Sequence, residues 1–374
     1  MRTAGALSAP TPLERPGCGR DRRMPHQPHI TLDCIIFGLQ HFGGISNYWA
    51  KLVSHVDSEP ALDCNLVLPS RIRFADFDAL DASRLTASRE HLDPRLTRYL
   101  PVRNANAQDV FHTSYYRLPA KRVTKYVVSV YDFTYERYRD GLAKWVHTMQ
   151  KLRSIRRADV VLCISEATRR DVLLHCPDVD PGKLKVVHLG VDPEAYFPEP
   201  LDATGSAPRN CVLFVGQRGG YKRFDLAVQA LRQSPLLTLG VVGPALSATE
   251  HELLTQQLGT RWAEFGPVHS SELRRLYSSA YAFVFPSDYE GFGLPVLEAM
   301  ACGCPVIAAD NSSLPEVGGD AALYAGSQQP QAYAQLLQSL EATAVRDQVV
   351  KAGLRRALQF PWSTTLQQTV ALYR

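Results

Sequence analysis

No run of 18 apolar residues occurs anywhere in this 374-residue sequence, so a membrane-spanning helix is not expected. The first 28 residues are rich in Pro and Arg and hold no apolar stretch of the kind a signal peptide needs. They are expected to form a disordered extension, and the protein to stay in the cytoplasm. Paired cysteines are missing as well. Of eight cysteines only Cys302 and Cys304 lie close together, whereas a structural zinc site needs Cys or His pairs at two places. The pattern reads as buried, reduced thiols with no metal. A net charge of +4 is too small on so long a chain to imply a nucleic-acid partner, although it suits an anionic ligand or lipid surface.

What is present is an ordinary globular composition, 45% apolar and 21% charged, in a chain longer than one hydrophobic core usually serves. Two domains are expected. His29 to Phe37, Asn65 to Leu68, Val110 to His112, Tyr126 to Val130 and Val160 to Ile164 read as short buried strands with helical stretches between several of them. Around Asp192 to Arg209 the composition shifts to Pro, Gly, Ser, Asp and Glu, which marks a linker. A second series of strands follows at Cys211 to Val215, Thr238 to Val242, Ala282 to Phe285, Val306 to Ala308 and Ala322 to Tyr324. Such alternation predicts an α/β protein of two Rossmann-like domains, 29–195 and 210–358, joined by a linker at 196–209 and followed by a segment at 359–374. Ligands of such sheets sit beyond the carboxyl ends of the strands, so a site is expected in the cleft between the domains.

Three glycine turns stand at strand-to-helix junctions. The run Pro286-Ser-Asp-Tyr-Glu-Gly-Phe-Gly-Leu-Pro-Val-Leu-Glu298 follows a strand and opens a helix. Gly291 and Gly293 let backbone amides approach an anion at the positive helix N-terminus, with Pro295 in the first turn. Glu298, one turn in, can accept from ribose hydroxyls, and Glu290 faces the cleft. The run Val215-Gly-Gln-Arg-Gly-Gly-Tyr-Lys222 offers Arg218 as a planar fork and Lys222 as a point charge for a diphosphate, next to Gly216. No Ser or Thr follows that lysine and no Gly-x-Gly-x-x-Gly occurs, so it is neither a P-loop nor a dinucleotide fingerprint. In Gln40-His-Phe-Gly-Gly-Ile-Ser46, Gly43 and Gly44 can bring amides to the same ligand from the other domain. Each turn alone could be only a tight turn; three together point to one shared anion.

The segment from Glu290 to Glu298 resembles the Glu-x7-Glu motif of retaining glycosyltransferases of family 4, which have the GT-B fold. The likeness extends through residues 33–46, 111–116 and 215–222 and covers nearly everything from His29 onward. It looks most like bacterial enzymes of O-antigen and surface-polysaccharide synthesis, many of them mannosyltransferases. The resemblance implies that Arg218 and Lys222 bind the donor diphosphate and Glu298 the ribose. Glu290 and the amides of Gly291, Phe292, Gly293 and Leu294 would hold sugar and phosphate. Many relatives place the arginine directly after the glycine, where Gln217 stands here. The resemblance further implies retention of configuration, no metal and no cofactor beyond the nucleotide-sugar co-substrate, GDP-mannose being the expected donor and a lipid-linked or polysaccharide glycan the acceptor. Residues from Phe360 onward look like the family's C-terminal helix that crosses back onto the first domain, with Trp362 as a packing anchor.

On the acceptor side, His112 and Asp132 follow strands of the first domain and are expected to face the cleft, where either can orient a hydroxyl or act as base. His112 as a satisfied core residue and Asp132 as a turn cap are the plain alternatives. Relatives often carry His before this aspartate, where Tyr131 stands here. Ser165 and Glu166 read as a helix start. The pairs Asp76/Asp78 and Asp178/Asp180 lie in polar loops and are not assigned to a metal. From Arg137 to Arg157 basic residues alternate with Leu142, Trp145, Val146, Met149, Leu152 and Ile155, a basic amphipathic helix that can lie on anionic lipid or simply present a solvated face. A rhamnosyl- or glucosyltransferase, a nucleotide-sugar 2-epimerase and a non-catalytic nucleotide-sugar binder remain the other functional readings.

Overall fold

A computed structural model of the protein describes residues 29–374 except 42, 81 and 201–208. The expected extension at 1–28 and most of the expected linker lie outside the described residues. The first sheet comprises β1 (His29–Asp33), β2 (Asp63–Leu68), β3 (Thr86–Arg89), β4 (Val110–Thr113), β5 (Lys125–Val130), β6 (Val160–Cys163) and β7 (Leu184–Val186). They pair in parallel in the order 3-2-1-4-5-6-7. The second comprises β8 (Cys211–Val215), β9 (Thr238–Val242), β10 (Trp262–Gly266), β11 (Ala282–Phe285), β12 (Val306–Ala309) and β13 (Leu323–Ala325), also parallel, in the order 10-9-8-11-12-13. The central strands β4, β11 and β12 are buried at every residue, as parallel strands covered by helices on both faces must be. Both expected Rossmann-like domains are present.

Each sheet reverses its strand order once, between β1 and β4 and between β8 and β11. At such a switch point the loops leaving the two strands diverge and leave a crevice. Lys222 follows β8 and Glu290 follows β11, so topology alone brings these two loops to one crevice.

The C-terminal helix Trp362–Ala371 crosses back to the first domain and packs on the helix Gly44–Ser58. Trp362 stacks on Tyr48 at 6.2 Å, and the Tyr48 hydroxyl lies 3.0 Å from Thr369 Oγ1. Gly190 is required at this crossing, because a Cβ there would stand 2.5 Å from the Trp362 nitrogen. The apolar run from His29 does not continue as a strand to Phe37. It stops at Asp33 and turns into a short helix, Ile36–Leu39, whose start is fixed by the Ser114 hydroxyl accepting from the Ile36 amide. Residues 196–199, expected to begin an exposed linker, instead lie against the helix Ser270–Ser279, where Glu199 pairs with Arg274 at 2.5 Å and Arg274 stacks on Phe197. All seven described cysteines are free and buried.

Candidate active site

Lys222 ends a single 3-10 turn, Gly220–Lys222, that leaves β8 through Gly216 and Gly219. Gly216 has φ +121°, a conformation side chains resist, and the space beside it is open. The turn is tied to the neighbouring loop: the Asp288 amide donates to the Tyr221 carbonyl at 2.7 Å, and Arg223 reaches Asp288 at 3.4 Å. Lys222 Nζ then lies 2.6 Å from Glu290 Oε1, with both side chains largely buried. Burial works against the ammonium, but Glu290, with Tyr221 and Asp132 nearby, holds Lys222 above its usual value.

The Glu290 loop is gripped from beneath by the loop after β12. Ser312 Oγ accepts from the Glu290 amide at 3.0 Å, and Ser313 Oγ donates to the Glu290 and Phe292 carbonyls at 3.0 and 2.7 Å. Gly293 takes φ +109° to launch the helix Leu294–Ala301, whose first amides have no partner within the helix. Glu298 is half-buried one turn along. The protein packed around it pushes its carboxyl up to about 7, although the Tyr196 hydroxyl works the other way.

The first domain closes against this loop at backbone distance. A Cβ on Gly291 would fall 1.9 Å from the Tyr131 carbonyl oxygen and 3.0 Å from the Asp132 Cβ. The Gly291 carbonyl accepts from Ser165 at 2.7 Å and Thr168 at 3.1 Å. Ser165 also caps the helix Glu166–His175, as its sequence predicts. Glu316 crosses the same boundary, accepting from the Glu166 and Ala167 amides and meeting His188 at 2.6 Å. Gly44 approaches from the first domain too, since a Cβ there would lie 3.2 Å from Leu294. Gly43 precedes it with extended backbone and faces Gln40.

Asp132, Lys222, Glu290 and Gly291 thus converge. Arg218 keeps a different partner: its Nε donates to Glu250 Oε1 at 2.6 Å and its Nη2 to the Ala245 carbonyl, while its buried Nη1 has no hydrogen-bond partner. Glu250 is held at about 2 chiefly by that bond, and it also closes a capping box with Ser247.

His112 does not face the cleft. It is fully buried, Nδ1 2.7 Å from the Tyr373 hydroxyl and Nε2 2.8 Å from Ser129 Oγ, with Trp49 at 4.8 Å. Burial lowers it to about 3, so it stays neutral. β4 carries it into the layer under the C-terminal helix, which the strand's own sequence does not disclose. His112→Ala is expected to cost roughly 2–4 kcal/mol in chemical denaturation by leaving a cavity and orphaned hydroxyls. The pH dependence of any turnover should be unchanged.

The basic stretch is two helices, Thr134–Tyr138 and Leu142–Arg157, broken at Gly141 with φ +82°. Four of its cations are paired: Arg137 with Asp171, Arg156 with Asp178, Lys144 with Asp140 at 4.0 Å, and Lys151, which is buried, with Glu136. Arg153 and Arg157 remain exposed, beside exposed Leu142 (75%), Trp145 (62%) and Met149 (47%). Of the Asp pairs, Asp178 takes Arg156 and Asp180 caps a 3-10 turn.

Sequence reasoning missed Tyr289, Ser165 and Glu316 as groups that join the domains. Only the glycine at 291, demanding close approach, hinted at such a contact.

Two family models match the two halves, Glycosyltransferase Family 4 over residues 74–195 and Glycosyl transferases group 1 over residues 203–356. An O-antigen chain mannosyltransferase B from Escherichia coli is 41% identical over 155 residues, 40% of this chain and 39% of that protein. A D-inositol 3-phosphate glycosyltransferase from Frankia alni is 34% identical over 57% of this chain and 58% of its own length. The chain thus spans between about two fifths and two thirds of the curated relatives it matches. Among solved structures, a sucrose-phosphate synthase from Thermosynechococcus elongatus superposes with a TM-score of 0.73 at 21% identity, covering 93% of this chain and 98% of that one. Anabaena HepE, solved with UDP-glucose, gives 0.71 at 17% identity over 92% and 98%. With two facing parallel-sheet domains, the Glu290 to Glu298 segment in their cleft and both halves matched, the chain belongs to glycosyltransferase family 4 and has the GT-B fold.

Proposed function

We propose that the protein transfers a hexose from a nucleotide-sugar to a glycan hydroxyl, with retention of configuration and without a metal. The observation that carries this reading is the Lys222–Glu290 pair at one switch point, set against Gly291 and Asp132 where the domains meet. Lys222 and the amides opening the helix Leu294–Ala301 would stabilise the diphosphate as the bond from C1 to its oxygen breaks. Arg218 would offer its unpartnered Nη1 to the same group. Glu290 would hold the sugar and Glu298 the ribose. Asp132 would orient the acceptor hydroxyl, whose proton passes to the departing phosphate oxygen as the new C1–O bond forms. No protein nucleophile is required.

Mannose from GDP-mannose is the donor we infer, supported by the identity to the Escherichia coli mannosyltransferase. A glucosyl donor is the second reading, favoured by the fold shared with HepE. The acceptor would be a lipid-linked or polysaccharide glycan, reached at a cytoplasmic membrane face where Leu142, Trp145 and Met149 enter the lipid beside Arg153 and Arg157. Among the described residues no helix is long and apolar enough to cross a membrane. The test is nucleotide release from GDP-mannose, dTDP-rhamnose, UDP-glucose and UDP-N-acetylglucosamine, with and without lipid-linked acceptors and EDTA. Release only with acceptor, unaffected by EDTA, is expected; an epimer formed without acceptor would overturn the proposal. Co-sedimentation with anionic vesicles should be lost in Trp145→Asp.

Glu298 gives the reaction a pH signature. Titrating near 7, it is mostly protonated at pH 6 and ionised at pH 8, where it accepts from both ribose hydroxyls. KM for the nucleotide-sugar is expected to fall between pH 6 and 8 and to be flat in Glu298→Gln. Stability runs the other way. A carboxyl raised from 4.5 to about 7 binds its proton more tightly folded than unfolded. Its contribution is therefore complete below about 4.5 and lost as pH rises through 7. Equal KM slopes in both proteins would remove Glu298 from the donor site.

A further inference from the structure

Tyr289 belongs to the second domain by sequence and to the first by packing. It is 3% exposed and sits within the hydrophobic cluster of the first domain, among residues that include Val130, Phe133 and Val172. Its hydroxyl accepts from the Phe133 amide at 2.8 Å and donates to Asp171 Oδ2 at 2.7 Å. The other oxygen of Asp171 receives Arg137 at 2.6 Å, and the Arg137 guanidinium lies 4.5 Å over the Tyr289 ring. Ring, hydroxyl and π face are therefore all engaged by groups the other domain supplies.

The neighbours of these contacts in sequence give them meaning. Glu290 and Gly291 follow Tyr289 directly, and Asp132 precedes Phe133 directly. Seating Tyr289 thus sets the register between the Glu290 loop and Asp132 to within one residue on each side. The Gly291 carbonyl, held by Ser165 and Thr168, fixes the following residues. Such a contact is strong only when the domains are closed, because its partners lie on the far side of the cleft.

We propose that Tyr289 is a positioning residue, an interdomain latch whose seating between Phe133, Asp171 and Arg137 aligns the donor loop with the acceptor side. The latch touches neither the diphosphate cradle around Lys222 nor Glu298, so it governs alignment and leaves nucleotide affinity alone. This purpose rests on the transfer reading above, while the latch as a structural contact does not.

The test uses Tyr289→Phe, which keeps the buried ring and removes both hydroxyl bonds. Three results are expected: kcat lower by about tenfold to a hundredfold, as for the loss of two buried hydrogen bonds; a Kd for GDP or UDP within about twofold of the parent; and faster amide hydrogen exchange in the peptide holding Phe133, read with no sugar donor present. Asp171→Asn, which still accepts from Tyr289 but loses the ion pair with Arg137, should fall between parent and Tyr289→Phe, and carries the test if the latter does not fold. Unchanged kcat and unchanged exchange would overturn the latch, as would a nucleotide Kd weakened as much as kcat/KM. If the parent transfers no sugar at all, the transfer reading fails, and the exchange result still decides whether Tyr289 latches the domains.

Discussion

Lys222→Ala is expected to lower kcat by about 10²–10³-fold, the usual cost of removing one preorganised group from a developing negative charge. Two effects add. On the proposed reading the departing diphosphate would lose a fixed cation, and Glu290, unpaired in a largely buried position, would face the phosphates as an uncompensated like charge. Glu290→Gln in the Lys222→Ala background should therefore recover part of nucleotide affinity, measured by calorimetry, without recovering kcat. Asp76→Ala serves as the comparison, since Asp76 is exposed and begins only a 3-10 turn. Full activity in Lys222→Ala would mean that the diphosphate binds elsewhere, Arg218 being the next cation to substitute.

Gly291→Ala should be nearly as damaging for a different reason. A methyl 1.9 Å from the Tyr131 carbonyl oxygen meets backbone rather than the far end of a flexible side chain, so the contact is relieved by moving the Glu290 loop away from the Tyr131–Asp132 segment of the other domain. We expect turnover to fall by about 10²-fold, in line with the cost of a misplacement of about 1 Å between reacting groups. Scattering should show a larger radius of gyration, and the melting temperature should fall, because parting the domains at Gly291 also draws Tyr289 out of the first domain's core. A variant with unchanged scattering and unchanged turnover would show that the domains do not work at this separation.

The interior of both sheets was legible because their strands are short, apolar and buried on both faces. The three strands that escaped, Thr86–Arg89, Leu184–Val186 and Trp262–Gly266, are all edge strands. β3 is almost wholly exposed and β10 half-buried, so neither carries an apolar run for the eye to find. In the site, Lys222, Glu290, Gly291 and Asp132 could be anticipated because each follows a recognisable central strand. The true setting of His112 could not, since it depends on Tyr373, 261 residues away. Arg218 was expected beside Lys222, but its partner Glu250 comes from a helix cap whose own signature gives no hint of the arginine. Local pattern shows which loops reach a cleft, while the pairing of side chains within it is decided by elements distant in the chain.

The return of residues 362–373 to the first domain also bears on how the protein is made. Tyr373 bonds the buried His112, Thr369 meets Tyr48, and the Leu372 carbonyl receives Lys125. A nascent chain leaving the ribosome can complete the second sheet while the first still lacks its final layer. The domain begun first is thus finished last, and severing the chain between the sheets would leave the amino-terminal piece with Tyr48 and His112 uncovered. The same return gives the two domains a second covalent crossing, and the two crossings lie side by side, Val191 bridging Pro361 and Gly190 closing on Trp362, as two hinge pins set on one edge of a door.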